Sequence, residues 1–420
     1  MEKFSDSDFE FLANIQNKKL LKKKRERIEP VLKDVRSFLK SRGIVLYGGL
    51  ALNTYLTVKD KIYDAKLDIP DYDGYSNEAL KAAIDLFDHL VAKGYKILLL
   101  KEAIHDGTYN ISWEFNSIVD ITQVNDDFYA KVMRSKRLVD GVYVIDPNLL
   151  KANAYIEFAA PESSMYRWGK MMPRVKKLEK AVPLMDNELK RRDIKPNNKI
   201  PVLADWDLPP LIRKLYIHLW NYAVDKGLPL LGSHAVAFHM RKRGKASPVF
   251  PPFRVSCFAI LETLAKDSQS VLKGIRSVVG RAAYDAITLQ TEDNVATVTY
   301  KGRKYEMFRV HDVSEVCISV SKASGGEKSA SPEPAYGSLF YLVYQLYFKL
   351  FEMNSLTSCR KSAPQSVALQ REIKATIEQL LSRVNRKQFG IECYGYFKSI
   401  TVIKKERYVA KTKQVIKSDR

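Results

Sequence analysis

Several signatures of common protein classes are missing from this chain of 420 residues. Its four cysteines form no CxxC pair, which excludes a local zinc-ribbon spacing and indicates a reducing compartment. The six histidines contain no HExxH motif. The first residues, 1–6, are polar and predict no secretory signal. The most apolar stretch, residues 339–351, contains Gln345 and Lys349 and is too short to span a bilayer, so we expect no membrane partner.

The chain has far fewer acidic residues than basic ones. Lysine and arginine number 69 against 48 acidic residues, which gives a formal net charge of +21. A charge of this size indicates a polyanionic partner, because cations that neutralise phosphates release counterions. The apolar fraction of 46% is that of a folded protein, and the length predicts two or three domains. We therefore expect a protein that binds nucleic acid, and a basic solvated surface without a partner is the alternative.

The hydrophobic pattern predicts an α+β domain in the first half of the chain. Apolar residues recur at helical spacing in some segments and form short buried runs in others. The βαβαβββ-like order that results is typical of an α+β domain rather than a doubly wound one. In chain order, we expect a cationic helix (16–41), a strand (44–47), a helix (50–56), an extended acidic segment (68–76), a helix (77–93) and three strands (95–100, 109–115 and 118–124).

The positions of three acidic residues in the sequence predict a metal-binding site. Asp71 and Asp73 are two apart, and residues two apart in an extended segment project from the same face. Asp120 lies in a predicted strand with apolar residues on both sides, and buried acids are rarely tolerated without a partner. Carboxylate oxygens suit Mg²⁺ or Mn²⁺. Two such ions about 3.5–4 Å apart would activate an attacking hydroxyl and stabilise a leaving pyrophosphate.

A glycine pair, Gly48-Gly49, lies where the first predicted strand turns into a helix. Glycine lets the backbone approach a triphosphate, and the free amides of the following helix face the anion. No Gly-Lys-Ser/Thr follows, so this is not a Walker loop, and no EF-hand spacing follows Asp73, which disfavours calcium. The glycine pair alone could be an ordinary turn, and the acids alone an ordinary loop. Together, in this order, they predict a catalytic nucleotide site.

Two segments carry a resemblance to a known family: residues 47–53 (YGGLALN) and residues 70–76 (PDYDGYS). They resemble the poly(A) polymerase catalytic subunits of large cytoplasmic DNA viruses, of the poxvirus and mimivirus kind. Those proteins belong to the polymerase-β-like nucleotidyltransferase superfamily. Residues 161–170 (PESSMYRWGK) are similar to a further segment of the same proteins. The resemblance covers residues 43–178 and is thin beyond them.

The resemblance implies which residues form the site. Metal binding and catalysis would fall to the three acids, and Asp120 would assist deprotonation of the attacking hydroxyl. The wider superfamily often has Gly-Ser where this chain has Gly48-Gly49, so a serine contact to phosphate is missing here. Nucleotide binding would fall to Gly48, Gly49, Arg167 and Lys170, and the two cations could instead contact the RNA backbone or face water.

The function implied by the resemblance is template-independent addition of AMP, from ATP, to an RNA 3′ end. The implied cofactor is Mg²⁺ or Mn²⁺, and the implied location is the host cytoplasm or the virion. A second copy of the chain and a stimulatory subunit both stay open as partners. One alternative is a nucleotidyltransferase with another acceptor or nucleotide, such as tRNA or a small molecule. Another is a non-catalytic RNA-binding or processivity factor, against which the three acids argue.

An internal repeat is predicted in the second half of the chain. Residues 230–236 echo residues 46–52, and residues 305–314 parallel residues 113–122. The first match, extended without a gap, sets Val255 and Cys257 against Asp71 and Asp73, and the second sets Asp312 against Asp120. We therefore expect a catalytic domain with the basic helix (1–190), a degenerate nucleotidyltransferase-like domain without the metal pair (191–330) and a helical region with a basic tail (331–420).

Overall fold

The structure of the chain is a computed structural model, and the part that it describes covers most of both halves. Both predicted domain boundaries, at 190/191 and 330/331, lie outside the described residues, as does most of the basic tail, so the three-domain division stays a prediction. The described residues are 6–64, 68–103, 105–184, 208–240, 254–260, 287–292, 294–322, 334–357, 364–385 and 392–395, with the isolated positions 275, 277, 280, 402 and 405.

The long N-terminal helix α1 (Asp6–Ser41) begins ten residues earlier than the sequence pattern predicts. Its second half packs on the core through Ile28, Val31, Val35 and Leu39, each 2% exposed or less. These positions recur every three or four residues, so they line one helical face. The first half, including the lysine run at residues 22–24, is exposed. The helix thus anchors at one end and presents cations to solvent at the other.

The first lobe (residues 6–184) is built on a sheet of seven strands, among the residues that the structure describes. Strand β2 lies at its centre, antiparallel to β1 and parallel to β5. The sheet order is β3-β4-β5-β2-β1-β7-β6. The strands are β1 (Val45–Tyr47), β2 (Tyr72–Ser76), β3 (Leu98–Glu102), β4 (Thr108–Trp113), β5 (Asn116–Gln123), β6 (Arg137–Val139) and β7 (Val142–Val144).

Helices connect and cover this sheet. Helix α3 packs with its apolar face inward, and Ala83, Leu86 and Leu90 are fully buried. The chain order of helices and strands confirms the predicted α+β class. The helices are α2 (Gly48–Tyr55), α3 (Ala79–Ala92), α4 (Asp126–Ser135), α5 (Pro147–Ala159), α6 (Pro161–Ser164) and α7 (Trp168–Ala181), with 3₁₀ turns at Val58–Asp60 and Met165–Arg167.

In the described part of the second lobe (residues 208–322), four strands form a sheet of order β8-β11-β10-β9, and a smaller sheet of order β13-β12-β14 adjoins it. Two long helices follow in the chain. The elements are α8 (Pro210–Asp225), α9 (Gly232–His239), β8 (Val255–Ala259), β9 (Ile287–Glu292), β10 (Val295–Tyr300), β11 (Arg303–Asp312), β12 (Ile318–Lys322), β13 (Ala335–Gly337), α10 (Leu339–Thr357), α11 (Pro364–Leu381) and β14 (Cys393–Tyr394).

The two lobes share a local backbone conformation where a strand turns into a helix. In the first lobe, Tyr47 has φ −126° and ψ −166°, and Gly48 begins helix α2 with φ +69°. In the second lobe, Leu231 has φ −125° and ψ −172°, and Gly232 begins helix α9 with φ +62°. A positive φ favours glycine, which explains why both turns carry one.

The strand register shows which second-lobe residues occupy the positions that correspond to Asp73 and Asp120. In the first lobe Tyr47 lies opposite Asp73, whose other neighbour is Asp120. In the second lobe the Leu231 amide donates to the Ser256 carbonyl, and Ser256 lies beside Arg309. Since Leu231 and Tyr47 hold the same place before their helices, Ser256 corresponds to Asp73. Arg309 then corresponds to Asp120.

This register corrects part of the repeat alignment made from the sequence. Val255 and Cys257 do not stand in the places of Asp71 and Asp73; they are fully buried in an apolar core on the other face of the sheet. Asp312 likewise lies three residues beyond the counterpart of Asp120. A one-residue slip moves every side chain of a strand to the opposite face, and an ungapped alignment cannot detect it.

Helix α10 packs on both lobes. Its Phe348 stacks on Phe128 of the first lobe at a centroid distance of 6.3 Å. Its Tyr341 meets Phe258 of the second lobe edge-on at 4.7 Å. Tyr347 is fully buried, so this part of the helix belongs to the core.

Cys317 and Cys393 form a disulfide bond with a Cα–Cα distance of 5.4 Å. The cysteine spacing did not predict this pairing, because strands β12 and β14 bring together two residues that are 76 positions apart in the chain. Cys257 is a buried free thiol. No helix in the described part of the chain is both long and apolar enough to cross a lipid bilayer.

Candidate active site

Asp71, Asp73 and Asp120 lie together where the start of strand β2 runs beside the middle of strand β5. Asp73 and Asp120 are direct neighbours in the parallel β2–β5 pair, and neighbouring strands are about 4.8 Å apart. Asp71 immediately precedes β2 and is two residues from Asp73, so it projects toward the same face. All three side chains are half-buried. The parallel pairing of β2 with β5 is therefore what brings the three carboxylates to one place.

The three carboxylates repel one another. Burial raises the pKa of Asp73 to about 7, and the charges of Asp71 and Asp120 contribute to that rise. Arg167 and a hydrogen bond from the Gly49 backbone lower the pKa of Asp73 and partly offset those effects. Burial also raises the pKa of Asp120, while its bond to Asn110 lowers it. The site thus places neighbouring carboxylates in partly desolvated surroundings, and a multivalent cation would stabilise their charged forms.

Polar side chains of strands β4 and β5 hold two of the carboxylates in place. The Asn110 amide donates to Asp120 Oδ1 at 2.6 Å and to Ser117 Oγ at 2.8 Å. Ser117 in turn donates to Asp71 Oδ2 at 3.3 Å. The sequence pattern did not predict either residue. Asn110 is buried in a strand, which is an unusual place for an amide, and its position among apolar residues was the available signal.

An aromatic pair lies under the acidic residues. Tyr47 stacks on Tyr75 with ring centroids 4.0 Å apart and planes 7° apart. The Tyr47 hydroxyl bonds Thr122 Oγ1 at 2.8 Å, and Tyr75 accepts from Asn153 at 3.2 Å. Tyr75 and Thr122 are two residues after Asp73 and Asp120, so they lie on the same face of the sheet as the acids. The aromatic pair therefore borders the carboxylates on that face.

The glycine pair has no room for side chains. A Cβ on Gly48 would overlap the Asp73 carboxylate, and a Cβ on Gly49 would overlap the Tyr63 hydroxyl and approach Arg174 Nη1 to 3.2 Å. The Arg174 guanidinium lies 5.4 Å from the centre of the Tyr63 ring. Tyr63 and Arg174 therefore occupy the space that a side chain at position 49 would need. The sequence pattern did not predict these two residues, because their proximity to Gly49 depends on the fold.

The two predicted cationic site residues differ in their surroundings. Arg167 pairs with Glu157 at 3.4 Å and lies close enough to Asp73 to lower its pKa. Lys170 is exposed on helix α7. It is four residues from Arg174, so both lie on one face of the helix. The structure thus places Arg167 close to the carboxylates. It places Lys170 one helical turn from Arg174, which lies beside the glycine pair.

The donor set fits a hard divalent cation. Asp73 and Asp120 are neighbours across the β2–β5 pair, Asp71 is two residues before Asp73, and Asn110 and Ser117 orient Asp120 and Asp71. Oxygen-only ligands of this kind suit Mg²⁺ or Mn²⁺ rather than zinc, which prefers nitrogen and sulfur. The residues present therefore fit the metal that the resemblance implies.

Comparison with known proteins gives a family match for the segment that contains this site. Residues 33–164 match the family model described as "Poly(A) polymerase catalytic subunit". This segment contains Gly48, Gly49 and all three acids. The predicted resemblance to viral poly(A) polymerase catalytic subunits is confirmed.

Individual viral proteins show the same partial match. A putative poly(A) polymerase catalytic subunit of African swine fever virus (isolate Tick/South Africa/Pretoriuskop Pr4/1996) is 26% identical over 181 residues, which is 41% of this chain and 38% of that protein. One from Acanthamoeba polyphaga mimivirus is 30% identical over 168 residues, which is 39% of this chain and 28% of that protein. The aligned part thus spans well under half of these relatives.

The fold extends beyond the segment matched in sequence. The crystal structure of the Megavirus polyadenylate synthase superposes with a TM-score of 0.73 at 19% identity, covering 99% of this chain and 84% of that chain. At this identity the likeness concerns the fold. The chain therefore has the same architecture as that polyadenylate synthase.

Proposed function

We propose that this chain is a template-independent poly(A) polymerase that transfers AMP from ATP to an RNA 3′-hydroxyl. The observation that carries the proposal is the group of Asp71, Asp73 and Asp120 beside the Gly48-Gly49 turn, inside the segment that matches the family. A net charge of +21 supports a polyanionic acceptor over a neutral small molecule.

The chemistry needs a triphosphate held in line with the attacking hydroxyl. The backbone at Gly48 and Gly49 lies at the start of helix α2, where free amides face an anion. Tyr63 and Arg174 border Gly49 and would contact the phosphates. Arg167 and Lys170 extend this cationic side of the site. Together these residues would bind the triphosphate opposite the carboxylates.

Asp71, Asp73 and Asp120 would hold Mg²⁺ or Mn²⁺, which supplies Lewis-acid stabilisation of the phosphate charge. The RNA 3′-oxygen attacks the α-phosphorus, the bond to the β-phosphate breaks, and pyrophosphate leaves. Asp120 accepts the proton of the attacking hydroxyl. Its hydrogen bond from Asn110 and its place beside Asp73 keep the carboxylate oriented for that transfer.

We propose that the second lobe is a degenerate copy of the catalytic fold. The matching backbone angles before Gly48 and Gly232 and the parallel β8–β11 pair support this. Ser256 and Arg309 stand where the first lobe has Asp73 and Asp120, so the copy cannot hold the metals. Its part would be to support the catalytic lobe and bind RNA. We place the enzyme in the host cytoplasm or virion, with a second copy or a stimulatory subunit as its partner.

A nucleotide panel tests the proposed function. Purified protein is incubated with a labelled single-stranded RNA, Mg²⁺ or Mn²⁺, and each of the four ribonucleoside triphosphates separately. Extension with ATP well above that with the other three is expected. Preference for another nucleotide, or extension of tRNA alone, would assign a nucleotidyltransferase of different specificity. No extension under any condition would point to a non-catalytic RNA-binding factor.

The same assay tests the metal-binding acids. Asp73→Asn should reduce nucleotide addition by several powers of ten while preserving RNA binding, because the metals lose a charged ligand. Asp312→Ala is the matched control. This acid accepts bonds from Ser314 on an exposed turn of the second lobe, and we expect near-normal activity from the variant. An Asp73→Asn variant with near wild-type turnover would contradict the metal assignment.

A further inference from the structure

Two arginines of the second lobe share one carboxylate. Arg254 donates to Glu306 Oε2, and Arg309 Nη2 lies 3.7 Å from the same oxygen. The Arg254 side chain is only 14% exposed, whereas Arg309 is 37% and Glu306 47% exposed. The group therefore lies at the surface with one guanidinium drawn inside. One acid for two arginines leaves a surplus positive charge.

Lys349 of helix α10 and His311 of strand β11 lie close to these arginines, and His311 is neutral there. Burial lowers the pKa of Lys349, and the charge of Arg254 lowers it further. Burial lowers the pKa of His311 to about 4, and the charges of Arg309 and Arg254 contribute to that shift. Both groups therefore lie within electrostatic reach of the arginines. We call Arg254, Arg309, Lys349 and His311, with Glu306, the arginine cluster.

Two buried donors of the arginine cluster, Nε of Arg254 and Nε of Arg309, lack a hydrogen-bond partner among the residues that the structure describes. The Ser233 hydroxyl of the same lobe is a third such group. Ser233 is 2% exposed and is the second residue of helix α9, directly after Leu231, which bonds Ser256 of β8. An unmet buried donor costs about 1–3 kcal/mol, so these groups call for an acceptor.

The arginine cluster occupies the place that the carboxylates occupy in the first lobe. Arg309 corresponds to Asp120, and Ser256 to Asp73, by the register of strands β8 and β11. Arg254 is two residues before Ser256, as Asp71 is two residues before Asp73. The sign of the charge is thus inverted at the same position of a similar fold. A helix beginning with Gly232 and Ser233 faces this position, and its free amides favour an anion.

We propose that the arginine cluster, with Ser233, binds a phosphate group, supplied by the RNA backbone or by a nucleotide. Guanidinium groups bind phosphate through paired hydrogen bonds, and their unpaired Nε donors become satisfied. Glu306 releases one guanidinium as the phosphate arrives. The inferred site goes beyond the proposed catalytic function, because it predicts binding in the lobe that carries no metal-binding acids at the corresponding positions.

Binding measurements without turnover test this site. The full chain is titrated, without divalent metal, against a fluorescent single-stranded RNA, against ATP and against inorganic tripolyphosphate. Arg254→Gln and Arg309→Gln should each weaken binding of one of these ligands about tenfold. For RNA, the slope of log affinity against log salt should flatten by about 0.7 for each phosphate that the variant no longer neutralises. Arg303→Gln is the control, because Arg303 is exposed at the start of the same strand.

A further variant separates a binding site from a structural ion pair. Glu306→Gln should strengthen phosphate binding, since both guanidiniums are then free to meet the ligand. If the arginines only support the fold, Glu306→Gln should lower the melting temperature and leave all three affinities unchanged. Arg309→Lys keeps the charge but not the paired donors, and its intermediate affinity would show that geometry matters.

The ligands distinguish the two sources of phosphate. Weaker binding of RNA alone assigns an RNA backbone contact, and weaker binding of ATP and tripolyphosphate assigns a nucleotide site. The site is refuted if folded Arg254→Gln and Arg309→Gln variants bind all three ligands like the wild type. If the wild type binds no RNA, the proposed function fails, while the ATP and tripolyphosphate titrations still decide this proposal.

Discussion

At the scale of single residues, the site depends on side chains that do not bind substrate. Asn110 shows this most clearly, since its amide bonds Asp120 and Ser117 while its own oxygen accepts from Ser112 at 2.7 Å. Asn110 thus contacts the Asp120 carboxylate directly and the Asp71 carboxylate through Ser117. The chemistry of the acids is visible in the sequence, but their orientation is set by this neighbouring strand.

Replacing Asn110 by leucine should impair the enzyme without unfolding it. Loss of an orienting partner of a metal ligand typically costs about 10–100-fold in metal affinity or activity. We therefore expect turnover to fall in that range and the Mg²⁺ or Mn²⁺ concentration for half-maximal rate to rise. Steady-state extension rates at varied metal concentration measure both.

The control for Asn110→Leu is Asn116→Ala, which removes an amide of a neighbouring turn that bonds the backbone carbonyls of Trp113 and Glu114. It should leave the metal dependence unchanged. Equal metal dependence in the Asn110 variant and the wild type would show that Asp120 holds its position unaided.

At the scale of secondary-structure elements, helix α7 brings cations to the glycine turn. Arg174 lies at Gly49, and Lys170 is one turn earlier on the same face. Val175 and Leu178 on another face are buried and fix the helix against the core. The helix thus positions its cations by packing rather than through a flexible loop.

Arg174→Gln should raise the KM for ATP by about tenfold, because one charge-assisted hydrogen bond to phosphate is removed. RNA affinity should change little, since Arg174 borders the triphosphate side of the site. Initial rates at varied ATP and a separate RNA titration distinguish the two effects.

Lys176→Gln provides the comparison for Arg174→Gln. Lys176 is exposed and lies about 200° further around the same helix, away from Gly49. The two variants remove the same charge, so equal rises in KM would mean that only general electrostatics acts. An unchanged KM in the Arg174 variant would remove Arg174 from the nucleotide site.

At the scale of the whole molecule, positive charge is spread over distant elements. The exposed lysines of α1 at residues 22–24, the cations of α7 and the arginine cluster belong to different parts of the fold. A surface of this kind binds a polyanion through many phosphate contacts rather than through one pocket. Its affinity should therefore depend steeply on salt.

RNA affinity should fall steeply as salt rises from low to physiological concentration. The slope of log affinity against log salt should be about −0.7 for each phosphate neutralised on a single strand. Fluorescence anisotropy of a labelled RNA over a salt series measures this slope. A flat dependence would show that the basic surface faces solvent or another kind of partner.

The stability of the second lobe should also depend on pH, through the buried His234. Burial lowers the pKa of His234 from 6.5 to about 4, so the unfolded chain takes up the proton first. The contribution of His234 to the free energy of unfolding is therefore fully present above about pH 6.5, and it declines as the pH falls toward about 4. At about pH 5 the loss from this residue should be on the order of 2 kcal/mol.

Urea unfolding at about pH 7.5 and about pH 5 measures the loss, with the fluorescence of Trp220 as the probe, because its ring lies 4.2 Å from His234. His234→Gln should lower stability at neutral pH, since Tyr216 loses its partner, yet reduce the dependence on pH. His105→Gln, at an exposed position, should keep the full dependence. An unaltered pH dependence in His234→Gln would assign the effect to other groups.

Much of the first lobe could be predicted from the sequence, because its signals are local. The strand before Gly48-Gly49, the amphipathic helix now bounded at Ala79–Ala92 and the three later strands follow from hydrophobic period and glycine position. The spacing of Asp71 and Asp73 likewise determined that two carboxylates share a face. Helix ends were less accurate, since α1 continues to Asp6 through residues with no buried face.

The tertiary structure alone decided what distant segments do together. Pairing of β2 with β5 sets Asp120 beside Asp73, and the fold brings Asn110, Tyr63 and Arg174 to the site from separate segments. It also placed Ser256 and Arg309, rather than Cys257 and Asp312, at the positions that correspond to Asp73 and Asp120. Strand register depends on pairing energies across the sheet and on loop lengths, neither of which a local pattern contains. The sequence by itself determined which chemistry is present, and the register decided where it acts.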